Sequence, residues 1–159
     1  MTRTHERHLI VRVELLNPAV KPPNASALQL AVFEALQRDQ DSAARAEGES
    51  SASGATGSKT KKQEFKPPLL QVRHYCPHAG LCLMRTGMGA SKAVRAAIAH
   101  VRTPVRMSVQ QAFGSATRAR RVLATNYEDA AWHAAAGGNA KAVKQLDEHL
   151  SQLAELQKR

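Results

Sequence analysis

The side chains of this sequence that could do chemistry are mostly arginines, and they are unevenly distributed. Between Phe65 and Tyr127 there is no Asp or Glu. The same stretch carries ten basic residues: Lys66, Arg73, Arg85, Lys92, Arg95, Arg102, Arg106, Arg118, Arg120 and Arg121. Ten equals the net charge of the chain, +10, so the remaining segments balance to about zero. A guanidinium binds phosphate through paired hydrogen bonds, so this pattern predicts contact with a polyanion. Nucleic acid is the first expectation; an acidic membrane surface, or charge that serves only solubility, are the alternatives.

A second group of chemically capable residues is His74, Cys76, His78 and Cys82. These residue types bind zinc, but their spacing, H-x-C-x-H-x3-C, matches no common zinc finger and spans a tight hairpin. The sequence therefore favours small buried cysteines and a polar turn. Two cysteines do not make a disulfide framework.

The glycines of Thr86–Ala90 could cradle a phosphate, because they precede a predicted helix. Gly87 and Gly89 are the candidate residues, and an ordinary turn is the alternative. No Walker lysine pattern accompanies them, so a phosphate bound there would belong to RNA. No carboxylate pair or nucleophile–base set stands out, and the acid-free stretch disfavours a metal-dependent nuclease site. We expect no catalysis by the protein itself and no cofactor bound by it.

Hydrophobic periodicity predicts the elements that must position these side chains. They are a strand over 8–16, a helix over 25–38 capped by Asn24, strands over 69–75 and 81–85, a helix capped by Ser91 and stopped by Pro104, a strand over 105–110, and helices over 115–124, over 127–136 and from Asn139 onwards. The order strand, helix, strand, strand, helix, strand predicts an α/β fold, more closely an α+β sandwich. It is a split βαβ unit with a ferredoxin-like, four-stranded antiparallel sheet and both helices on one face.

The domain organisation follows from composition. Residues 1–127 form the predicted α/β domain, and residues 128–159 a helical extension that packs on the domain or on a partner. Residues 39–64 are rich in Ser, Ala, Gly, Glu and Lys, which predicts a disordered insert. No apolar run is long enough for a membrane span, so we expect a soluble intracellular protein without a membrane partner.

The predicted sheet resembles an RNA-recognition module but lacks its stacking aromatics. The chain has six aromatic residues, and none lies in 9–15 or 81–85. Recognition of the backbone and shape of a folded RNA is therefore favoured over stacking on bases. The predicted RNA-binding residues are Arg73, Arg85, Lys92, Arg95, Arg106, Arg118, Arg120 and Arg121. Arg118, Arg120 and Arg121 also suit a nuclear localisation patch.

Several segments resemble the Pop-five/Rpp-fourteen family of ribonuclease P and MRP subunits. They are the opening strand at 8–11 (HLIV), the strand LQVRHY at 70–75, the strand GLCLMR at 80–85 that closes on an arginine, and the helix with Val94, Ala97 and Ile98. Gly114-Ser115 resembles the family's Gly-Thr helix start. The family's following Ile-Arg is Ala116-Thr117 here, with Arg118 one place later.

The resemblance implies a non-catalytic subunit that supports cleavage of the 5′ leader of precursor tRNA by the particle's RNA and its Mg²⁺ ions. The MRP form acts in ribosomal RNA processing. The implied partners are the ribonuclease P/MRP RNA, a TIM-barrel-like protein subunit, other proteins of the particle and, indirectly, precursor tRNA. The implied location is the nucleus and nucleolus. A small ribosome-associated or RNA-chaperone module, and an adaptor that binds proteins through its terminal helices, are the alternatives.

Overall fold

A four-stranded antiparallel sheet forms the centre of the protein. The computed structural model describes residues 5–50, 68–102 and 104–158. Its elements are β1 (Glu6–Leu15), α1 (Ala25–Ser50), β2 (Leu70–Cys76), β3 (Leu81–Gly87), a 3-10 turn (Met88–Ala90), α2 (Ser91–His100), β4 (Val105–Phe113), α3 (Ala116–Ala136) and α4 (Ala140–Gln157). The strand order is β2-β3-β1-β4. The predicted split βαβ, ferredoxin-like α+β fold is thereby confirmed.

Helices α1 and α2 cover one face of the sheet. The alternating residues Leu9, Val11 and Val13 of β1 belong to the core on this side. Leu28, Val32, Ala35 and Leu36 of α1, and Val94, Ala97 and Ile98 of α2, also belong to this core. The helical spacing of these residues places them all on the buried side of their helices, as the sequence predicts.

Helices α3 and α4 cover part of the opposite face, where a second core forms. Ile10, Leu81 and Leu83 of the sheet pack there against Ala119, Leu123 and Tyr127 of α3 and Leu146 and Leu153 of α4. The sandwich therefore has three layers. Of the two arrangements expected for the last helix, on the domain or on a partner, the structure shows packing on the domain.

The prediction of two helices between residues 115 and 136 is wrong, because α3 is continuous from Ala116 to Ala136. The predicted domain boundary after Tyr127 falls in the middle of this helix, and the Tyr127 side chain is fully buried. Burial of one continuous helix against the sheet makes the C-terminal helices part of the same domain.

Helix α1 is longer than the sequence indicates. Asn24 caps it by accepting a hydrogen bond from Ala27 N at 2.8 Å, as predicted. The helix then continues to Ser50 and does not end near Arg38. Disorder predicted for 39–50 is therefore wrong, since good helix formers such as Ala and Arg continue the helix beyond its buried part. Residues 51–64 of the predicted insert lie outside the described residues.

A β-bulge at Arg73 changes the alternation along β2. The pairing of β2 with β3 shifts register between Val72 and His74. Val72 consequently packs on the α1/α2 side, whereas His74 lies near Tyr127 on the α3/α4 side. Regular alternation along the strand predicted over 69–75 would place Val72 and His74 on one face, but the extra residue of the bulge reverses the side-chain phase.

No helix within the described ranges has both the length and the apolar character needed to span a membrane.

Candidate nucleic-acid interface

One end of the sheet gathers basic side chains from several elements. The start of β1 pairs with the ends of both neighbouring strands, since Glu6 lies opposite Gly87 of β3 and His8 opposite Phe113 of β4. Helices α2 and α3 begin just beyond these strand ends. The amino ends of helices carry partial positive charge, which adds to that of nearby arginines. We call this region the basic end; its residues are Arg7, Arg73, Arg85, Arg118 and Arg120.

The start of β1 and the entrance to α3 hold two of these arginines. A Cβ placed on Gly114 would lie 3.0 Å from Arg7 Nη1, so Arg7 lies against the turn before α3. The Arg118 guanidinium lies 6.0 Å from the centre of the Phe113 ring. Ser115 caps α3 by accepting a hydrogen bond from Arg118 N at 3.4 Å. The cap fixes where α3 starts and hence where its arginines lie.

Three further arginines converge on an open-sided cavity of about 240 Å³. It lies on the α3/α4 side of the sheet and takes residues from five elements. Its lining residues are Glu6, His8, Arg73, Leu83, Arg85, Ala116, Arg120 and Leu156. Because they come from β1, β2, β3, α3 and α4, only the folded chain can assemble the cavity. The bulge at Arg73 is one local reason for this convergence, since bulges re-aim side chains.

Arg85 forms an ion pair with Glu6 through its Nη2 atom. This hydrogen bond holds the pKa of Glu6 below its usual value, and it raises the pKa of Arg85. The Nε atom of Arg85 is buried and has no hydrogen-bond partner among the described residues. A buried guanidinium donor without a partner is costly, so this atom marks a position where an acceptor would be stabilising.

His8 and Arg120 form the other side of the cavity. His8 is 8% exposed, and this burial lowers its pKa, as do the charges of Arg85, Arg120 and Arg73. Arg120 Nη1 donates a hydrogen bond of 2.7 Å to the Leu156 carbonyl, which ties α3 to the end of α4 and orients the guanidinium. The arrangement is a fixed set of hydrogen-bond donors with excess positive charge, suited to an anion.

The other predicted RNA-binding residues do not join this cavity. Lys92 and Arg95 are exposed on α2, in the layer on the opposite side of the sheet, although Lys92 lies in the first turn of that helix. Arg106 of β4 pairs in register with Glu14 and lines a separate cavity with Arg102. Arg121 is exposed on α3. The structure thus divides the predicted set among different surfaces.

The predicted phosphate loop has no structural need for its glycines. Gly87 ends β3 and Gly89 lies in the 3-10 turn; neither has a positive φ, and a Cβ on either would touch nothing within 4 Å. The predicted cap Ser91 is instead the first residue of α2, and Ala90 holds the cap position without a side-chain hydrogen bond. Neither the backbone conformation nor a close approach therefore distinguishes this loop from an ordinary turn.

The His/Cys group does not converge on one point. Cys82 packs in the core beneath α1 and α2, whereas Cys76 packs in the core beneath α3. Both are free thiols. Within the described part of the chain, no three His, Cys, Asp or Glu side chains are placed to hold a metal ion. Alternation along the hairpin separates the two thiols onto opposite faces, which the letter spacing does not reveal.

Glu6, Arg7, His8 and Leu156 are site residues that the sequence did not predict. Arg7 lies just before the strand predicted over 8–16 and His8 is its first residue, so neither stood out from the charged start of the chain. Glu6 and Leu156 contribute through contacts with Arg85 and Arg120 that are distant in sequence. Such contacts carry no periodic or motif signal.

Comparison with models of known protein families finds no match, and comparison with curated proteins of known function finds no match either.

Proposed function

We propose that this protein is a non-catalytic RNA-binding subunit of a ribonuclease P or MRP particle, and that its basic end contacts the RNA backbone. The observation that carries the proposal is the convergence of Arg73, Arg85 and Arg120 on one cavity, next to Arg7 and Arg118. Guanidinium groups held by a fold lose little entropy when they bind phosphate, so they suit a backbone contact.

The layers of the fold favour backbone contact over base stacking. Proteins that stack bases on a sheet use aromatic side chains on an open face. Here Leu81 and Leu83 of β3 are covered by α3 and α4. Tyr127 is fully buried and Phe113 is partly buried against the core, and the exposed Trp132 lies on α3 and not on the sheet.

The finer assignment to ribonuclease P or MRP rests on the order of the resembling segments, now found in β1, β2, β3 and α2. In such a particle the RNA with its Mg²⁺ ions cleaves the 5′ leader of precursor tRNA, or processes ribosomal RNA. This chain neutralises phosphate repulsion and contacts a TIM-barrel-like subunit and other proteins of the particle. Its expected location is the nucleus and nucleolus.

Sequencing the RNA that co-purifies with a tagged copy of the full chain tests this assignment. Recovery of one structured RNA, in a particle that removes the leader of precursor tRNA, is the expected result. Recovery of ribosomal subunits alone would favour the ribosome-associated or RNA-chaperone module. Recovery of proteins without RNA would overturn RNA binding and favour an adaptor.

The salt dependence of binding to that RNA tests the basic end directly. We expect the double variant R73Q/R85Q to reduce the steepness of the slope of log affinity against log salt by about 1.4 to 1.8. Each lost phosphate contact contributes about 0.7 to 0.9 to that slope. The matched control is R95Q/R102Q, which removes the same charge from exposed positions on and just after α2. Circular dichroism of both variants verifies that the fold is retained.

An equal change of slope in the two double variants would mean that RNA binding depends on the total charge of the protein and that the basic end is not the contact. A slope near zero in the unmodified protein would exclude phosphate contacts altogether.

A further inference from the structure

Building on the RNA binding proposed above, on which its biological meaning rests, we infer that the cavity binds one phosphate group and that Glu6 competes with it for Arg85. The phosphate would lie between Arg73, Arg85 and Arg120. Glu6 would leave Arg85 as the phosphate enters. Because the Glu6 carboxylate must be displaced, only an anion that binds the arginines more tightly than Glu6 occupies the cavity.

The hydrogen bonding of Arg85 is incomplete in a way that suits an oxyanion. On a guanidinium, Nε and Nη2 form one edge whose two donors point the same way, the edge that binds both oxygens of an oxyanion. Glu6 uses Nη2 alone, and Nε is buried without a partner among the described residues. The ion pair therefore satisfies half of an edge that a phosphate oxyanion would satisfy completely.

The side chains that line the cavity also carry an excess of positive charge. Arg73, Arg85 and Arg120 bring three positive charges and Glu6 one negative charge, so the lining has an excess of two while His8 is neutral. An isolated Glu6–Arg85 pair would leave no such excess. Arg73 forms no ion pair with any described residue, and Arg120 is held by the neutral Leu156 carbonyl. The guanidinium groups of Arg73 and Arg120 can therefore both bind negative charge on a phosphate in the cavity.

The proton on His8 provides an independent readout. The charged or titratable groups around it are Glu6 of its own strand, Arg73 of β2, Arg85 of β3 and Arg120 of α3. Burial, opposed by the charge of Glu6, lowers the pKa of His8 below 6.5, and the charges of Arg85, Arg120 and Arg73 lower it further. A bound anion offsets those charges and raises that pKa, so binding takes up a proton and strengthens as the pH falls.

Inorganic sulfate is the first probe, because it keeps its charge over the working pH range. Titration of the full chain by NMR at constant ionic strength, balanced with chloride, is expected to show one site. Glu6→Gln should tighten sulfate binding by about two- to fivefold, the range for a partly exposed ion pair. The matched control is Glu14→Gln, the same change at the other end of β1. The amide introduced by Glu6→Gln can itself hydrogen-bond to Arg85. Glu6→Ala is therefore the second variant, because it has no polar side-chain group at this position.

Sulfate affinity in the unmodified protein should decrease as the pH rises from 5.5 to 7.5. In His8→Gln the affinity should not change over this pH range. Unchanged affinity in both Glu6 variants would overturn the competition. Absence of saturable sulfate binding in the unmodified protein and in both variants would overturn the site itself.

Two RNA groups share this chemistry, a backbone phosphodiester and a terminal phosphomonoester. Oligonucleotides of one sequence with a 5′-phosphate or a 5′-hydroxyl separate them: a preference for the 5′-phosphate that Arg120→Gln abolishes identifies the terminal group, and equal binding identifies the backbone. Sulfate binding without RNA binding would retain the anion site and refute the proposed function. RNA binding without a sulfate site would retain the proposed function and refute this inference.

Discussion

Acidification should destabilise this protein through His74 of β2, whose side chain packs against Tyr127 of α3 and His149 of α4. The side chain is 8% exposed. Its Nε2 atom lies 3.2 Å from Nδ1 of His149, and its ring centre lies 5.6 Å from that of Tyr127. Burial first, and then the neighbouring His149, lower the pKa of His74 from 6.5 to about 4. The fold therefore stabilises the neutral imidazole.

The magnitude follows from the difference between the folded and unfolded pKa values. Because the folded value is the lower one, the stabilisation is complete above the unfolded value of about 6.5 and is lost as the pH falls towards 4. The full shift gives a loss of about 2 kcal/mol between pH 7 and pH 5. Residual solvent access reduces this to about 1 kcal/mol.

Urea unfolding at pH 7 and at pH 5, followed by circular dichroism, measures this loss. In His74→Gln the loss between the two pH values should be smaller than in the unmodified protein by about 1 kcal/mol, because the titrating group is gone. His133→Gln, an exposed position on α3, is the control and should behave like the unmodified protein. If His74→Gln loses as much stability as the unmodified protein, the buried neutral imidazole does not exist and the reasoning is refuted.

Two further substitutions test the packing of the hairpin and of α3. Gly80→Ala should cost about 1 to 3 kcal/mol, since Gly80 has a φ of +62° and a Cβ there would lie 2.9 Å from the Val13 carbonyl oxygen. Thermal unfolding measures it against Gly87→Ala, which should be nearly neutral because a Cβ at Gly87 meets nothing; equal losses would contradict the argument. Tyr127→Phe should cost about 1 kcal/mol in urea unfolding, because the hydroxyl donates a buried hydrogen bond of 3.4 Å to the Leu81 carbonyl. An unchanged urea midpoint would show that this hydrogen bond contributes nothing.

The division of the basic residues among surfaces has a consequence for the salt dependence proposed above. Ten positive charges in one stretch of sequence suggest one continuous RNA surface. The fold instead places Lys92 and Arg95 in one layer and Arg120 in another, with the sheet between them. An RNA bound as proposed would contact only part of the set, so the slope of log affinity against log salt should be smaller than the residue count implies.

The sequence by itself determined the order of elements from β1 to β4 and the main core. Alternation in β1, helical spacing in α2 and the capping residues Asn24 and Asn139 act locally, since each depends on neighbours within a few residues. The acid-free stretch also predicted a basic surface, because charge is additive along the chain wherever it folds. For the candidate site, the sequence therefore predicted the positive charge and four of the five arginines of the basic end, namely Arg73, Arg85, Arg118 and Arg120.

Only the tertiary structure decided which of those arginines meet. The bulge at Arg73 arises from the pairing of β2 with β3, and the continuous α3 from its burial against the second face of the sheet. The contacts Glu6–Arg85 and Arg120–Leu156 join residues far apart in sequence. Periodicity records which side of its own element a residue occupies. It does not record which element lies opposite, because that depends on how the layers pack across the whole chain.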